Sequence, residues 1–216
     1  KLIYQSMRDE QQMEALKRQN LQAEMDYLKY QINPHFFMNT LNNIHALIDI
    51  DAESAKNAVI ELSKMMRYVL YDSGSERISL NRDIMFLKNY IELMRIRYTD
   101  DVQIRVEYPD NLPEQVSIPP LLLIVFVENA FKHGVSYNRP SFIHLRIEYA
   151  DGQVTSTLTN SRHAAPAGGR KNDPGIGLEN VRKRLALIYG EKSYSLDIRE
   201  EEETYTVTLV IPTLHA

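Results

Sequence analysis

Cysteine is absent from the 216 residues, which excludes disulfides, thiolate metal sites and cysteine nucleophiles and is compatible with a reducing compartment. Long apolar runs are missing too. The longest strongly apolar stretch, Ile118 to Val127, has two prolines near its start and is too short to span a bilayer. No signal peptide opens the chain, and the first 32 residues hold neither glycine nor proline. Nor is there an initiator methionine: the sequence enters at Lys1 directly into a helical pattern, so a fragment cut from a longer protein is expected. A net charge of -4 gives no electrostatic reason to expect nucleic acid as a partner.

What is present is the composition of an ordinary soluble globular protein, 44% hydrophobic and 25% charged, long enough for one or two domains with a sizeable core. Near the start, Gln, Glu, Lys, Arg and Met favour helix. Leu21, Met25, Leu28 and Ile32 alternate steps of four and three, the spacing of a short coiled-coil seam; a single-helix spacer fits the looser pattern upstream equally well. At about 100° per residue, Phe37, Leu41, Ile44 and Ile48 then share one side of a helix, and His35, Asn39, Asn42 and Asp49 the other. Pro34 removes a donor and pushes on the preceding turn, which kinks a helix or starts a new one and bares the residue after it. An imidazole there, with a pKa near neutrality, can be nucleophile, base or metal ligand, although a lone histidine on a polar helix face is more often simply solvated.

Downstream, Asp51 to Ser54 reads as a polar turn, and a second helix carries Val59, Leu62, Met66 and Val69 as far as Asp72-Ser73-Gly74-Ser75. Such a hairpin cannot bury its stripe alone, and pairing with a second copy would make a four-helix bundle, so a homodimer is expected. A third helix should run from Leu80 to about Tyr98, capped by Ser79 or Asn81. The texture then changes. Val102 to Tyr108 alternates as a half-buried strand does, Asn111 to Pro120 reads as a loop, and Leu121 to His133 as a helix closed by Gly134. Phe142 to Tyr149 and Gln153 to Thr159 form a hairpin about Asp151-Gly152. Ser161 to Pro174 reads as a mobile loop, a helix follows to about Tyr189, and strands Tyr194 to Glu200 and Thr204 to Ile211 close the chain. The fold class is α+β: helices first, then an α/β sandwich with an antiparallel or mixed sheet.

In Val127-Glu128-Asn129-Ala130-Phe131-Lys132-His133-Gly134, helical spacing places Glu128, Asn129, Lys132 and His133 on one sector. Oxygen donors beside cations could hold Mg²⁺ and a polyphosphate; a solvated helix face has the same look. Gly175-Ile176-Gly177 ahead of a helix can let the backbone approach a phosphate, as can a simple turn, and Arg182, Lys183 and Arg184 add positive potential downstream.

Taken together and in this order, the pieces resemble the LytS-like sensor histidine kinases. The histidine-bearing domain is matched by Gln31-Ile32-Asn33-Pro34-His35-Phe36-Phe37, Asn39-Thr40-Leu41-Asn42-Asn43-Ile44, Leu62-Ser63-Lys64-Met65-Met66-Arg67-Tyr68 and Tyr90 to Tyr98. The ATP-binding domain of the GHKL (Bergerat) type is matched by Ile118-Pro119-Pro120, Glu128 to Gly134 and Gly175 to Leu185. The resemblance implies a helical linker over 1–20, a histidine-bearing dimerisation domain over 21–100 and an ATP-binding domain over 101–216. It implies an enzyme that uses ATP and Mg²⁺ to phosphorylate its own histidine and passes the group to an aspartate of a response regulator. By match, His35 is the acceptor and Asn129 the Mg²⁺-binding asparagine. Lys132 and His133 face phosphate, and Gly175, Gly177, Leu178 and Arg182 belong to the nucleotide lid and the helix behind it. Such domains usually follow a membrane-embedded sensor, which this chain lacks, so the expected location is the cytoplasmic side of the inner membrane.

The match has gaps. The family's DxGxG element, whose aspartate receives the adenine amino group, is here Thr159-Asn160-Ser161-Arg162-His163; Asn160 can accept that bond through its amide oxygen, without the charge that strengthens it. Ile124-Val125 replaces a Gln-Pro pair. Phe36 rather than an acid follows His35, which leaves Asn39 to orient the ring and Glu128 as the candidate base. Two other readings remain: a dimeric signalling adaptor that no longer binds nucleotide, and an ATPase of the same superfamily without histidine transfer.

Overall fold

A computed structural model describes residues 34–96, 98, 102–136, 138–163 and 176–214, in backbone only at 34, 35, 176 and 177. The chain divides into two compact units, 1–36 and 37–216. The first is described only from Pro34, so the expected seam through Leu21, Met25, Leu28 and Ile32 lies outside the described residues, as does the chain leading into Pro34.

Helix α1 runs Pro34–Ile48. Its buried residues are Phe36, Thr40 and Ile44, whereas Leu41 is 49% and Ile48 53% exposed. The inward stripe is therefore rotated from the expected Phe37-Leu41-Ile44-Ile48 line. The helix is apolar on two adjoining faces, and one copy of the chain covers only one of them. Asp51 then caps α2 (Ala52–Arg67): its carboxylate accepts the Ser54 amide at 3.0 Å and the Ser54 hydroxyl at 2.6 Å. These residues are the start of the helix rather than the polar turn the sequence suggests. Ala55, Ala58, Leu62 and Met65 form the buried stripe of α2, against which α3 (Leu80–Arg95) packs. A π-helical turn, Tyr68–Asp72, ends the hairpin.

Two short pairings tie the helical half to the loop that precedes Pro119. Strand β1 (Ile78–Ser79) pairs antiparallel with β3 (Ser117–Ile118), two residues each and too short for any periodic signal. The Leu80 amide is taken by the Val116 carbonyl at 2.8 Å. Ser79 accordingly sits at the N-cap of α3 without a side-chain capping bond, because the loop backbone meets one of the free amides of the first turn.

The sheet is mixed, in the order β2-β4-β5-β7-β6. Strands β2 (Val102–Glu107) and β4 (Ser141–Ala150) are parallel, and β5 (Gln153–Ser161), β7 (Thr204–Pro212) and β6 (Ser195–Glu200) add antiparallel. Alternation sends Ile143, Leu145, Ile147, Val154, Leu158, Val207, Leu209 and Ile211 into the core, under α4 (Ile124–Gly134), which packs on β4 and β5. Asp151 (φ 51°) and Gly152 (φ 74°) both adopt positive φ, the two-residue hairpin turn that matches strand twist. Helix α5 (Ile176–Tyr189) packs against α4 and stops at Gly190, whose φ is 73°. Tyr90 of α3 meets Phe131 of α4 edge-on, ring centroids 6.0 Å apart.

Candidate active site

Helix α4 carries Asn129, Lys132 and His133 of the expected nucleotide residues, with Glu128, because its other positions are committed to the core. Ile124, Phe126, Val127, Ala130 and Phe131 are buried, which fixes the rotation of the helix. Glu128 and Asn129 are thereby left half-buried at its flank, with Lys132 and His133 exposed one turn on. Burial pushes the Glu128 carboxyl up to about 7. His133 is held below its ordinary value by lost hydration and by the charge of Lys132.

The end of α4 abuts Asn160 at the end of β5. A Cβ placed on Gly134 would stand 2.4 Å from Asn160 Nδ2 and 2.8 Å from its Cβ and Cγ, closer than any side chain tolerates. Gly134 is thus the last residue of the helix and the point at which a strand side chain presses against the helix backbone. The left-handed cap expected there does not form, since among the described glycines only Gly152 and Gly190 have positive φ. Asn160 is 3% exposed and its Nδ2 donates to the Ser161 carbonyl at 2.7 Å. That bond fixes which end of the amide is the donor and turns the oxygen the other way. An aspartate in its place would set a carboxylate against that carbonyl.

Beside Asn160 the strand ends are stitched by hydroxyls. Ser161 Oγ accepts the Phe142 amide at 2.7 Å. Ser141 Oγ accepts the Ser136 amide and lies 3.0 Å from His163 Nε2. These bonds hold the loop after α4 against the chain that leaves β5. Sequence reading passed over the Ser141–His163 pair, which lies 22 residues apart along the chain and belongs to no motif.

The remaining expected residues are more scattered. Asn39 is half-buried on α1, and His35 lies on that helix in its described backbone. Gly175 lies outside the described residues; Gly177 is in the first turn of α5. Leu178 is half-buried there and Arg182 exposed. Arg184 was expected to add surface charge, but it is 5% exposed and donates through Nη2 to the Pro120 carbonyl at 2.6 Å. It alternates with Val181 and Leu185 on the inward side of α5, which takes it out of any phosphate-facing surface.

A helical hairpin begun by a histidine-bearing helix, followed by an α/β sandwich whose covering helix carries Glu128 to Gly134, defines a protein of the histidine-kinase class. Residues 23–102 match the family model described as histidine kinase. Over 212 residues the chain is 30% identical to the Sensor protein LytS of Oceanobacillus iheyensis, an alignment covering 92% of this chain and 36% of that protein. Over 204 residues it is 31% identical to the Sensor histidine kinase/phosphatase LytS of Staphylococcus aureus strain Mu50, covering 88% and 34%. Among solved structures the fold is similar to that of a bacterial phosphotransferase, with a TM-score of 0.51 at 14% identity over 88% of this chain and 95% of that one. Over most of its length the chain is similar to the LytS-like histidine kinases, and it spans about a third of the length of these curated relatives. Among the described residues no helix is long and apolar enough to cross a membrane.

Proposed function

We propose that this chain is the kinase core of a two-component sensor, which moves the γ-phosphoryl group of ATP to its own His35 and then to an aspartate of a response-regulator protein. The observation that carries the reading is the joint at the end of α4, where Gly134 admits Asn160 and so sets the adenine-facing amide beside the helix of Glu128, Asn129, Lys132 and His133. Among the described residues no cluster of three or more acidic or histidine side chains could hold a metal alone. That donor set suits Mg²⁺, which keeps several waters and is bound through few protein oxygens together with phosphates. Asn129 would supply the amide oxygen, Lys132 and His133 the positive flank, Asn160 an acceptor for the adenine amino group, and Gly175, Gly177, Leu178 and Arg182 the lid and its helix. When bound, Mg²⁺·ATP supplies the phosphoryl group and neutralises charge on its oxygens.

His35 does the covalent chemistry. Its unprotonated ring nitrogen bonds to phosphorus as the bond to the β-phosphate oxygen breaks and ADP leaves. The other ring nitrogen then gives up its proton, with Glu128 as the base and Asn39 orienting the ring. The phosphorus–nitrogen bond breaks in turn as a regulator carboxylate takes the group. The histidine-bearing domain over 21–100 would dimerise through the exposed stripe of Leu41 and Ile48, and the ATP-binding domain would occupy 101–216. The chain would be the cytoplasmic part of a protein of the inner membrane, its sensor lying outside this sequence.

One observation favours a second reading, a dimeric adaptor without nucleotide. The amide of Asn160 stands where the family has a carboxylate, and its oxygen lacks the charge that strengthens a bond to the adenine amino group. Thermal unfolding separates the two. A ligand at 100 times its Kd stabilises the native state by about 2.7 kcal/mol. For a chain of this size that is a rise in Tm of roughly 5–10 °C. We expect such a rise with millimolar Mg²⁺·ATP and its loss in Asn129→Ala; a flat Tm in the unmodified protein selects the adaptor.

A further inference from the structure

Two charged side chains with no part in the proposed chemistry are buried on the inner faces of α3 and α5. Asp83 is 0% exposed. Its Oδ1 accepts the Tyr68 hydroxyl at 2.6 Å and the Leu121 amide at 3.2 Å. Burial raises its carboxyl to about 6, against the pull of those two bonds and of the Arg184 charge. Arg184 in turn holds the Pro120 carbonyl, the other end of the same peptide group whose Leu121 amide donates to Asp83. Leu121 itself is at φ 60°, a left-handed conformation that costs a residue with a Cβ of this size and persists only when its surroundings impose it.

Three elements therefore meet at the Asp83 carboxylate, and a fourth joins them through the Pro120 carbonyl. Tyr68 opens the π-helical turn that ends the histidine hairpin, and its ring stacks on Phe86 at 4.4 Å. Asp83 belongs to α3. The Pro120–Leu121 bend leads into α4, the helix of Asn129, and Arg184 belongs to α5, the helix behind the lid. Buried charges are weak evidence for stability, because apolar residues of similar volume often do as well or better. What such a network provides is one fixed geometry. It is also incompletely satisfied: Asp83 Oδ2, Arg184 Nε and the buried Tyr189 hydroxyl have no hydrogen-bond partner among the described residues, so a rearranged state has donors and acceptors to draw on.

We propose that Tyr68, Asp83 and Arg184 are positioning residues that, through the Pro120–Leu121 backbone, form one polar strut between the helix behind the nucleotide lid and the end of the histidine hairpin. The strut sets the geometry of phosphoryl transfer and leaves nucleotide affinity unchanged. The effect on transfer rests on the kinase reading; the mechanical link does not.

Both are tested on the full chain with Tyr68→Phe, which keeps the ring and its stacking and removes only the donor, and with Asp83→Asn as a second variant that keeps the shape. Amide hydrogen exchange without nucleotide is expected to quicken across residues 118–124 and 176–189 as well as around position 68. The initial rate of His35 phosphorylation at saturating Mg²⁺·ATP is expected to fall at least ten-fold, with the Kd for Mg²⁺·ATP within two-fold of the unmodified protein. Exchange that changes only around residues 68–83, or not at all, overturns the strut. So does a Kd that weakens in step with the rate. Should the unmodified protein bind no ATP, the kinase reading fails while the exchange data still decide the strut.

Discussion

Glu128→Gln is expected to give a protein that is more stable and less active. Burial raises the Glu128 carboxyl to about 7, so the native state favours the protonated form and holds a proton that the unfolded chain releases near its ordinary value. The sign comes from linkage: the penalty is absent below pH 4.5, grows as the pH rises toward 7 and is fully present above it. At about 1.4 kcal/mol per pKa unit, the shift from 4.5 to about 7 corresponds to on the order of 3–4 kcal/mol at pH 8. Glutamine has the same shape and carries no charge to bury. Without nucleotide and with a chelator present, its Tm should exceed that of the unmodified protein at pH 8 and match it near pH 4.5. Loss of a positioned base typically lowers a rate by about 10²–10⁴, and that fall in phosphorylation should accompany the gain in Tm. A variant that loses stability and activity together would mark Glu128 as a packing residue, and one that gains stability with full activity would remove it from the chemistry.

Gly134→Ala should go against the usual ranking of helix formers. In an ordinary helix position alanine is better than glycine by up to about 1 kcal/mol. Here the new methyl group would sit 2.4 Å from Asn160 Nδ2 and 2.8 Å from two of its carbons. Asn160 cannot swing aside, being buried and bonded to the Ser161 carbonyl. Forcing extra volume into a packed site costs about 1–3 kcal/mol, so the clash wins. At about 2–4 °C per kcal/mol for a chain of this size, Tm should fall by several degrees, and because Asn160 is displaced the Tm rise with Mg²⁺·ATP should shrink as well. Asn160→Gly removes all three opposing atoms. The cost of Gly134→Ala should therefore be much smaller in that background, whereas strict additivity of the two changes would show that the contact is not the cause.

Much of the architecture is written locally and could be read from the sequence. Asp151-Gly152 specifies its turn by backbone conformation alone, and the strands on either side alternate because one sheet face is covered. What escaped detection depends on distant residues. Leu41 and Ile48 look like core by spacing, yet the face of α1 that packs inward is the one with Thr40 and Ile44, and spacing alone does not choose between two adjoining apolar faces. Gly134 has the position of a helix-closing glycine, and only the approach of Asn160 from β5 shows why it lacks a side chain. Ser79 has the chemistry of a cap, but Val116, far along the sequence, supplies a bond at that helix start. Asp83 and Arg184 left a trace: each interrupts an apolar stripe, between Leu80 and Leu87 in α3 and beside Val181 and Leu185 in α5. A charge at a core position of a helical repeat signals a buried partner without naming it. The motifs from Glu128 to Gly134 and from Gly177 to Leu185 give the order of the site residues, and packing on β4 and β5 determines which of them turn outward.

The most direct measurement is the site of phosphate after the chain is incubated with Mg²⁺·ATP. The kinase reading predicts one added phosphoryl group on His35, released by acid, stable in alkali, and absent in both His35→Gln and Asn129→Ala. An unmodified His35 in a protein whose Tm shows that it binds ATP would contradict it.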